Sequence, residues 1–143
     1  GPKHEHLEPL LLGELRRRLG RVVPVVGLPT EEGQASAAQQ WELFARFFTG
    51  FRPRVIVFGV PVTDGDREGA ATTLQATLDA VRAHAAAHGA ALLLFADAEL
   101  ADDLMGVLRT AERDGVAFVV AGSGVPAAAV AEQLATAIAP LLR

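Results

Sequence analysis

The sequence predicts a three-layer α/β/α sandwich built on a four-stranded parallel sheet, with an extra helix at the N-terminus. Four short runs rich in Val, Leu, Ile and Phe are apolar almost throughout, as parallel strands covered on both faces are. Longer segments with a helical period separate these runs, in the alternating order of βαβ units. Hydrophobic residues make up 50% of the 143 residues, which is enough to form a core.

The predicted strands are short and bounded by turn-forming or charged residues. In chain order they are Arg21–Val26, Arg54–Val60, Ala90–Ala96 and Val116–Ala121. A glycine stands at the end of the helix before each strand, where a left-handed C′ residue commonly closes a helix. These glycines are Gly20, Gly50, Gly89 and Gly115.

Helices are predicted wherever apolar residues recur at steps of three and four. The predicted ranges are about His6–Leu19, Gln34–Gly50, Glu68–His88, Glu99–Asp114 and Pro126–Leu142. Examples of such stripes are Leu100, Leu104, Leu108 and Val130, Leu134, Ile138. Each stripe marks the face that a helix turns toward the sheet.

Residues 6–143 are expected to form one domain, because no linker or repeat interrupts the alternation. Residues 1–5 are interpreted as a tail beginning with Gly1-Pro2, a pair typical of the scar that a tag-removing protease leaves. Glu5, Glu8 and Pro9 stand where a signal peptide needs an apolar core, and no apolar run is long enough to span a bilayer. The chain has no cysteine, so disulfides and thiolate sites are excluded. We expect a cytoplasmic protein without membrane contact.

The carboxyl ends of parallel strands meet at one edge of the sheet, where ligands of open α/β folds bind. A flavodoxin-like or Rossmann-like sheet is expected, with strand order 2-1-3-4 and order 3-2-1-4 as the alternative; both keep the crossovers right-handed. The residues predicted to form the ligand-binding edge are Thr30, Glu31, Thr63, Asp64, Asp66, Asp97, Gly122, Ser123 and Gly124.

This edge is rich in carboxylates, and the opposite edge is rich in arginines. One interpretation is a divalent-metal site at the acidic edge and an acidic partner at the basic one. The other is helix electrostatics, because acids in first turns and arginines in last turns complement the helix dipoles. Parallel βαβ units align every helix, so the second interpretation is favoured.

The string Thr63-Asp64-Gly65-Asp66-Arg67-Glu68-Gly69 follows a predicted strand. It is similar to the T-D-x-D-R-E-G motif of the TOPRIM domain in type IA topoisomerases. That resemblance implies a magnesium-dependent reaction on a phosphoester, with Asp64 and Asp66 as metal ligands. The chain has no tyrosine, which those topoisomerases use as nucleophile, and Val26-Gly27 stand where the family has a metal-site glutamate. The alternative is a turn whose aspartates cap a helix.

Other motifs of catalysis are missing. The segment from Gly27 to Gln34 has the wrong glycine spacing for a P-loop, and Ser123 is not in a G-x-S-x-G elbow. The net charge of −4 argues against broad nucleic-acid binding. The sequence therefore favours a non-catalytic binding or regulatory module that acts through a protein partner, with no cofactor. The alternative is the magnesium-dependent phosphoester enzyme.

Two amphipathic helices suggest where a partner or a second copy would bind. The aromatic residues of the second predicted helix cover an arc wider than a sheet face needs, and the first helix has a leucine stripe. The predicted partner surface consists of Leu7, Leu11, Leu15, Trp41, Phe47 and Phe51. The alternative is that the aromatic helix packs on the sheet.

Overall fold

The computed structural model describes residues 7–23, 36–47, 50 and 52–142. In this part of the chain the helices are α1 (Leu7–Leu19), α2 (Ala37–Phe47), α3 (Ala70–His88), α4 (Asp102–Arg113) and α5 (Ala127–Ile138). The strands are β1 (Val55–Val60), β2 (Ala91–Asp97) and β3 (Ala117–Ala121). Short 3₁₀ turns cover Val62–Asp66 and Ala139–Leu142. None of the helices in the described ranges is both long enough and apolar enough to cross a membrane.

The strands form a parallel sheet in the order β1-β2-β3, with helices on both sides. Val55 lies opposite Ala91, and Leu93 lies opposite Ala117. The prediction of a parallel α/β sheet is thus confirmed for three strands. Of the predicted first strand, residues 21–23 are irregular and residues 24–26 lie outside the described residues.

Both predicted strand orders are wrong. Order 2-1-3-4 requires the first predicted strand to lie between the second and the third. The second and third predicted strands instead pair directly, as β1 and β2. The third and fourth pair as β2 and β3, which order 3-2-1-4 forbids. Residues of α2, α3 and α4 share one core cluster with the sheet. Crossovers of the same hand that step in the same direction place their helices on the same face of a sheet. The two helices that connect the described strands, α3 and α4, share a face in this way.

The core has one part on each face of the sheet. On the first face Leu78, Leu94 and Leu104 are completely buried among α3, β2 and α4. On the second face Leu93 of β2 packs with α1 and α5. Because side chains alternate along a strand, the adjacent residues Leu93 and Leu94 serve opposite layers. This explains why β2 is apolar from Ala91 to Ala96.

The leucine stripe of α1 belongs to this second core and is not a free surface. Leu11 and Leu15 are buried in the cluster that includes α5, and Leu7 packs against it. The amphipathic face of α1 is therefore used within the chain. Leu11 and Leu15 are not available to a partner in this arrangement.

Candidate functional site

A pocket of about 250 Å³ opens at the carboxyl end of β1, between the beginnings of α2 and α3. Residues from three segments line it: the start of α2, the turn after β1, and the first two turns of α3. The polar side chains among them belong to Ser36, Asp64, Arg67, Glu68, Thr73 and Thr77. The pocket lies at the edge of the sheet where the sequence predicts ligand binding.

The first wall of the pocket is the capped start of α2. The N–H of Gln39 donates to the Oγ of Ser36 at 3.1 Å, and the N–H of Ser36 donates to the Oε1 of Gln39 at 2.8 Å. This reciprocal pair is a capping box of the S-x-x-Q type. The next N–H of the helix, at Ala37, donates to the Oδ2 of Asp64 at 3.1 Å. Asp64 therefore ties α2 to the turn after β1.

Asp64 is the buried carboxylate of the site, with only 7% of its surface exposed. Its Oδ1 is buried without a hydrogen-bond partner, while the Nε of Arg67 lies 3.7 Å from that oxygen. Burial raises the pKa of Asp64, and the opposing effects of the Ala37 N–H and the Arg67 charge are smaller. The carboxyl group is thus held where its ionised form is poorly solvated.

The turn carrying Asp64 is packed closely on the rest of the domain. The N–H of Asp64 donates to the carbonyl of Pro61 at 3.0 Å, and the N–H of Arg67 donates to the carbonyl of Asp64 at 3.2 Å. A Cβ on Gly65 would lie 3.0 Å from the Cβ of Ala101, in the connection between β2 and α4. Glycine is needed here because the two loops approach so closely.

The string that resembles the TOPRIM motif therefore forms a 3₁₀ turn and a linker. Helix α3 begins at Ala70, after Gly69 in the left-handed conformation, rather than at Glu68 as the sequence predicts. Asp64 of this string is buried, whereas Asp66 and Thr63 are exposed. The two aspartates thus have different environments.

Magnesium fits these residues poorly. Mg²⁺ requires a nearly octahedral set of oxygen ligands. One oxygen of Asp64 accepts a backbone N–H and the other faces a guanidinium group, which repels a cation. Among the described residues no group of three or more His, Cys, Asp or Glu side chains could hold a metal ion.

The other predicted edge residues are not part of the pocket. Asp97 ends β2, and its Oδ1 accepts the N–H of Glu99 at 2.8 Å, so it stabilises its own turn. Gly122, Ser123 and Gly124 are exposed in the turn between β3 and α5, and Gly124 has a positive φ of 73°. Thr30 and Glu31 lie outside the described residues.

The aromatic side of α2 packs on α3 around a histidine. Trp41 and Phe44 stack at 5.2 Å, and the ring of His84 meets them edge-on at 5.2 Å and 5.8 Å. The ring of His88 lies 4.4 Å from that of His84. Trp41 is therefore engaged within the chain. Of the other predicted partner residues on this side, Phe51 and the side chain of Phe47 lie outside what the structure describes.

His84 is expected to make the fold sensitive to mild acid. Burial lowers the pKa of His84, and the charges of His88 and Arg52 lower it further. The unfolded chain then binds the proton more readily, so stability is lost as the pH falls below about 6.5. Urea unfolding between pH 7 and pH 5 should show this loss, and the loss should be smaller in His84→Phe. If the free energy of unfolding falls equally with pH in the wild type and in His84→Phe, His84 is not the source of the acid sensitivity.

Sequence reasoning missed the residues around Asp64. Ser36 and Ala37 come from a helix that precedes β1, and Thr73 and Thr77 from the helix that follows the turn. One signal in the sequence pointed to part of this site: the S-x-x-Q pattern of Ser36 and Gln39 before an apolar run is typical of a helix start. It places the start of α2 but not its contact with Asp64.

No family model matches this chain, and no curated protein or solved structure matches it. The function of this chain is therefore inferred from the geometry of the site.

Proposed function

We propose that this chain is a non-catalytic binding or regulatory domain that acts through a protein partner, with the Asp64 pocket as its contact point. The observation that supports this most is the buried carboxylate of Asp64, whose Oδ1 lacks a hydrogen-bond donor at the wall of a pocket. An unsatisfied buried acceptor weakens a fold. Perturbed groups of this kind cluster at functional sites.

An exposed apolar residue beside the pocket supports a protein as the partner. Val62 begins the 3₁₀ turn that carries Asp64, and it is 40% exposed. Protein interfaces combine such apolar contacts with a few buried polar groups. The turn is also closely packed, since a Cβ on Gly65 would lie 3.0 Å from the Cβ of Ala101. A loop that is already ordered loses little conformational freedom when a partner binds.

Asp64→Asn tests whether the carboxylate serves binding rather than stability. Asparagine still accepts the N–H of Ala37 but carries no charge. The pKa of Asp64 is raised in the folded state, so ionisation of its carboxyl group weakens the fold as the pH rises through the pKa. At pH 7 the variant should therefore be as stable as the wild type or more stable, measured by urea unfolding.

Asp66→Asn is the matched control, because Asp66 is an exposed acid in the same turn. Its stability should stay within about 0.5 kcal/mol of the wild type. A loss of more than about 1 kcal/mol in Asp64→Asn alone would show that the charge is structural. That result would overturn the proposed role of Asp64.

The alternative is the magnesium-dependent phosphoester enzyme, which the string beginning at Thr63 suggests because it follows β1 after Pro61 and Val62. Magnesium should leave the melting temperature of the wild type and of Asp64→Asn unchanged. A bound metal would stabilise the folded state by mass action. A magnesium-dependent rise in the wild type that disappears in Asp64→Asn would therefore favour the enzyme.

We also propose that the sheet has a fourth parallel strand at the free edge of β1, in the predicted run Arg21–Val26 beyond the irregular residues 21–23. Arg21 donates to the carbonyl of Leu142, just after α5, so it lies at the edge where the strands begin. Ala37 contacts Asp64, just after β1 ends. Arg21 and Ala37 therefore lie near opposite ends of β1, and these two positions support a strand that runs parallel to β1. With α2 as its crossover, the order along the sheet follows the order along the chain.

A further inference from the structure

We propose that the Asp64 pocket binds a guanidinium group, the side chain of an arginine on the partner, which displaces Arg67 from Asp64. This inference rests on the proposed function, since it names the chemistry that the same site would recognise. A free guanidinium compound carries the same group, so the experiment below separates the two sources.

The position of Arg67 shows which charge suits the site. Its Nε lies 3.7 Å from the Oδ1 of Asp64, within ion-pair distance but too far for a hydrogen bond. Within this pair the guanidinium acts on the carboxylate by charge alone, and Oδ1 is left without a donor. A guanidinium entering from a partner could donate to Oδ1 directly, with the forked geometry that matches a carboxylate.

The pair between Arg67 and Asp64 has one exposed member. Its side chain is 45% exposed, whereas that of Asp64 is 10% exposed. Ion pairs with a well-exposed member contribute little to stability. Arg67 is therefore an internal competitor that a better-oriented guanidinium can replace.

The remaining walls suit the rest of an arginine side chain. The hydroxyl groups of Thr73 and Thr77 are acceptors for the other N–H groups of a guanidinium, and Glu68 adds a second carboxylate. Leu74 and Ala70 are apolar and suit an aliphatic stem. The volume of about 250 Å³ is below the ~300–1,000 Å³ of pockets for drug-sized ligands. It suits one side chain.

Titration of the ¹⁵N-labelled protein tests this with two guanidinium probes, agmatine and the blocked peptide acetyl-Gly-Arg-Gly-amide. The same peptide with citrulline in place of arginine is the uncharged control. We expect amide shifts at Ser36, Thr73 and Thr77 with both guanidinium probes and none with citrulline. Tighter binding of the arginine peptide than of agmatine would indicate that the ligand is an arginine of a protein. Tighter binding of agmatine would indicate a free guanidinium compound and would overturn the proposal of a protein partner.

Two variants should change the affinity in opposite directions. Asp64→Asn should weaken binding of the arginine peptide by at least about tenfold, since it removes a charged hydrogen-bond acceptor. Arg67→Ala should strengthen it severalfold, because the internal competitor is gone. A merely structural role for either residue would not produce opposite effects. Weaker binding of the arginine peptide by Arg67→Ala would overturn the proposal that Arg67 is displaced. The control variant Asp66→Asn should bind the peptide with the affinity of the wild type.

Inorganic phosphate and n-butanol separate failure of this inference from failure of the proposed function. If either shifts the pocket amides while the guanidinium probes do not, the pocket binds other chemistry and the arginine inference is wrong. If none of these probes shifts them, the pocket is not a binding site and both proposals fail.

Discussion

Leu78→Ala is expected to lower the free energy of unfolding by about 2–5 kcal/mol. Leu78 is completely buried in the middle of α3, in the cluster shared by α3, α4 and the sheet. The truncated side chain leaves a cavity that close-packed neighbours fill only in part. Domains of ordinary stability unfold with about 5–15 kcal/mol, so this variant should lose a large fraction of the total. Urea unfolding followed by circular dichroism measures the change.

Leu10→Ala is the matched control, because Leu10 is a leucine of α1 that is 38% exposed. Its loss should be about 0.5 kcal/mol, in the range of surface substitutions. Equal losses in the two variants would mean that the face of α3 toward the sheet is not a packed core. That result would contradict the layer arrangement.

Gly65→Val is expected to lower the free energy of unfolding by about 1–3 kcal/mol, the usual effect of overpacking. Its Cβ would lie 3.0 Å from the Cβ of Ala101, so one of the two loops must move. Because Asp64 directly precedes Gly65, the movement should also displace the carboxylate from the Ala37 N–H. Binding of the arginine peptide should then weaken together with stability.

Gly106→Ala is the control for glycine replacement, since a Cβ there meets nothing within 4 Å. Gly106 lies within α4, where alanine is favoured over glycine by about 1 kcal/mol. This variant should be somewhat more stable than the wild type and bind the peptide unchanged. If Gly65→Val is as stable as the wild type, the close approach to Ala101 is not a constraint on the turn.

The sequence determined the elements of the fold because their signals are local. The apolar run Arg54–Val60 predicts β1 to within one residue, and the stripe of Val130, Leu134 and Ile138 predicts the buried face of α5. Strand order was not predictable in the same way. Every buried parallel strand has the same continuous apolar pattern, so the sequence of β2 does not indicate that β1 and β3 are its neighbours.

The candidate site shows the same division. Asp64 was predicted because an acidic residue just after a strand lies at the ligand-binding edge of a parallel sheet. The burial of Asp64 was not predicted, because it depends on the contact with Ala37, which is 27 residues away along the chain. Similarly, the stripe of Leu11 and Leu15 indicates an apolar face but not what covers it, and here α5 covers it. Periodicity is a property of the backbone within one element, whereas burial depends on which elements the folded chain brings together.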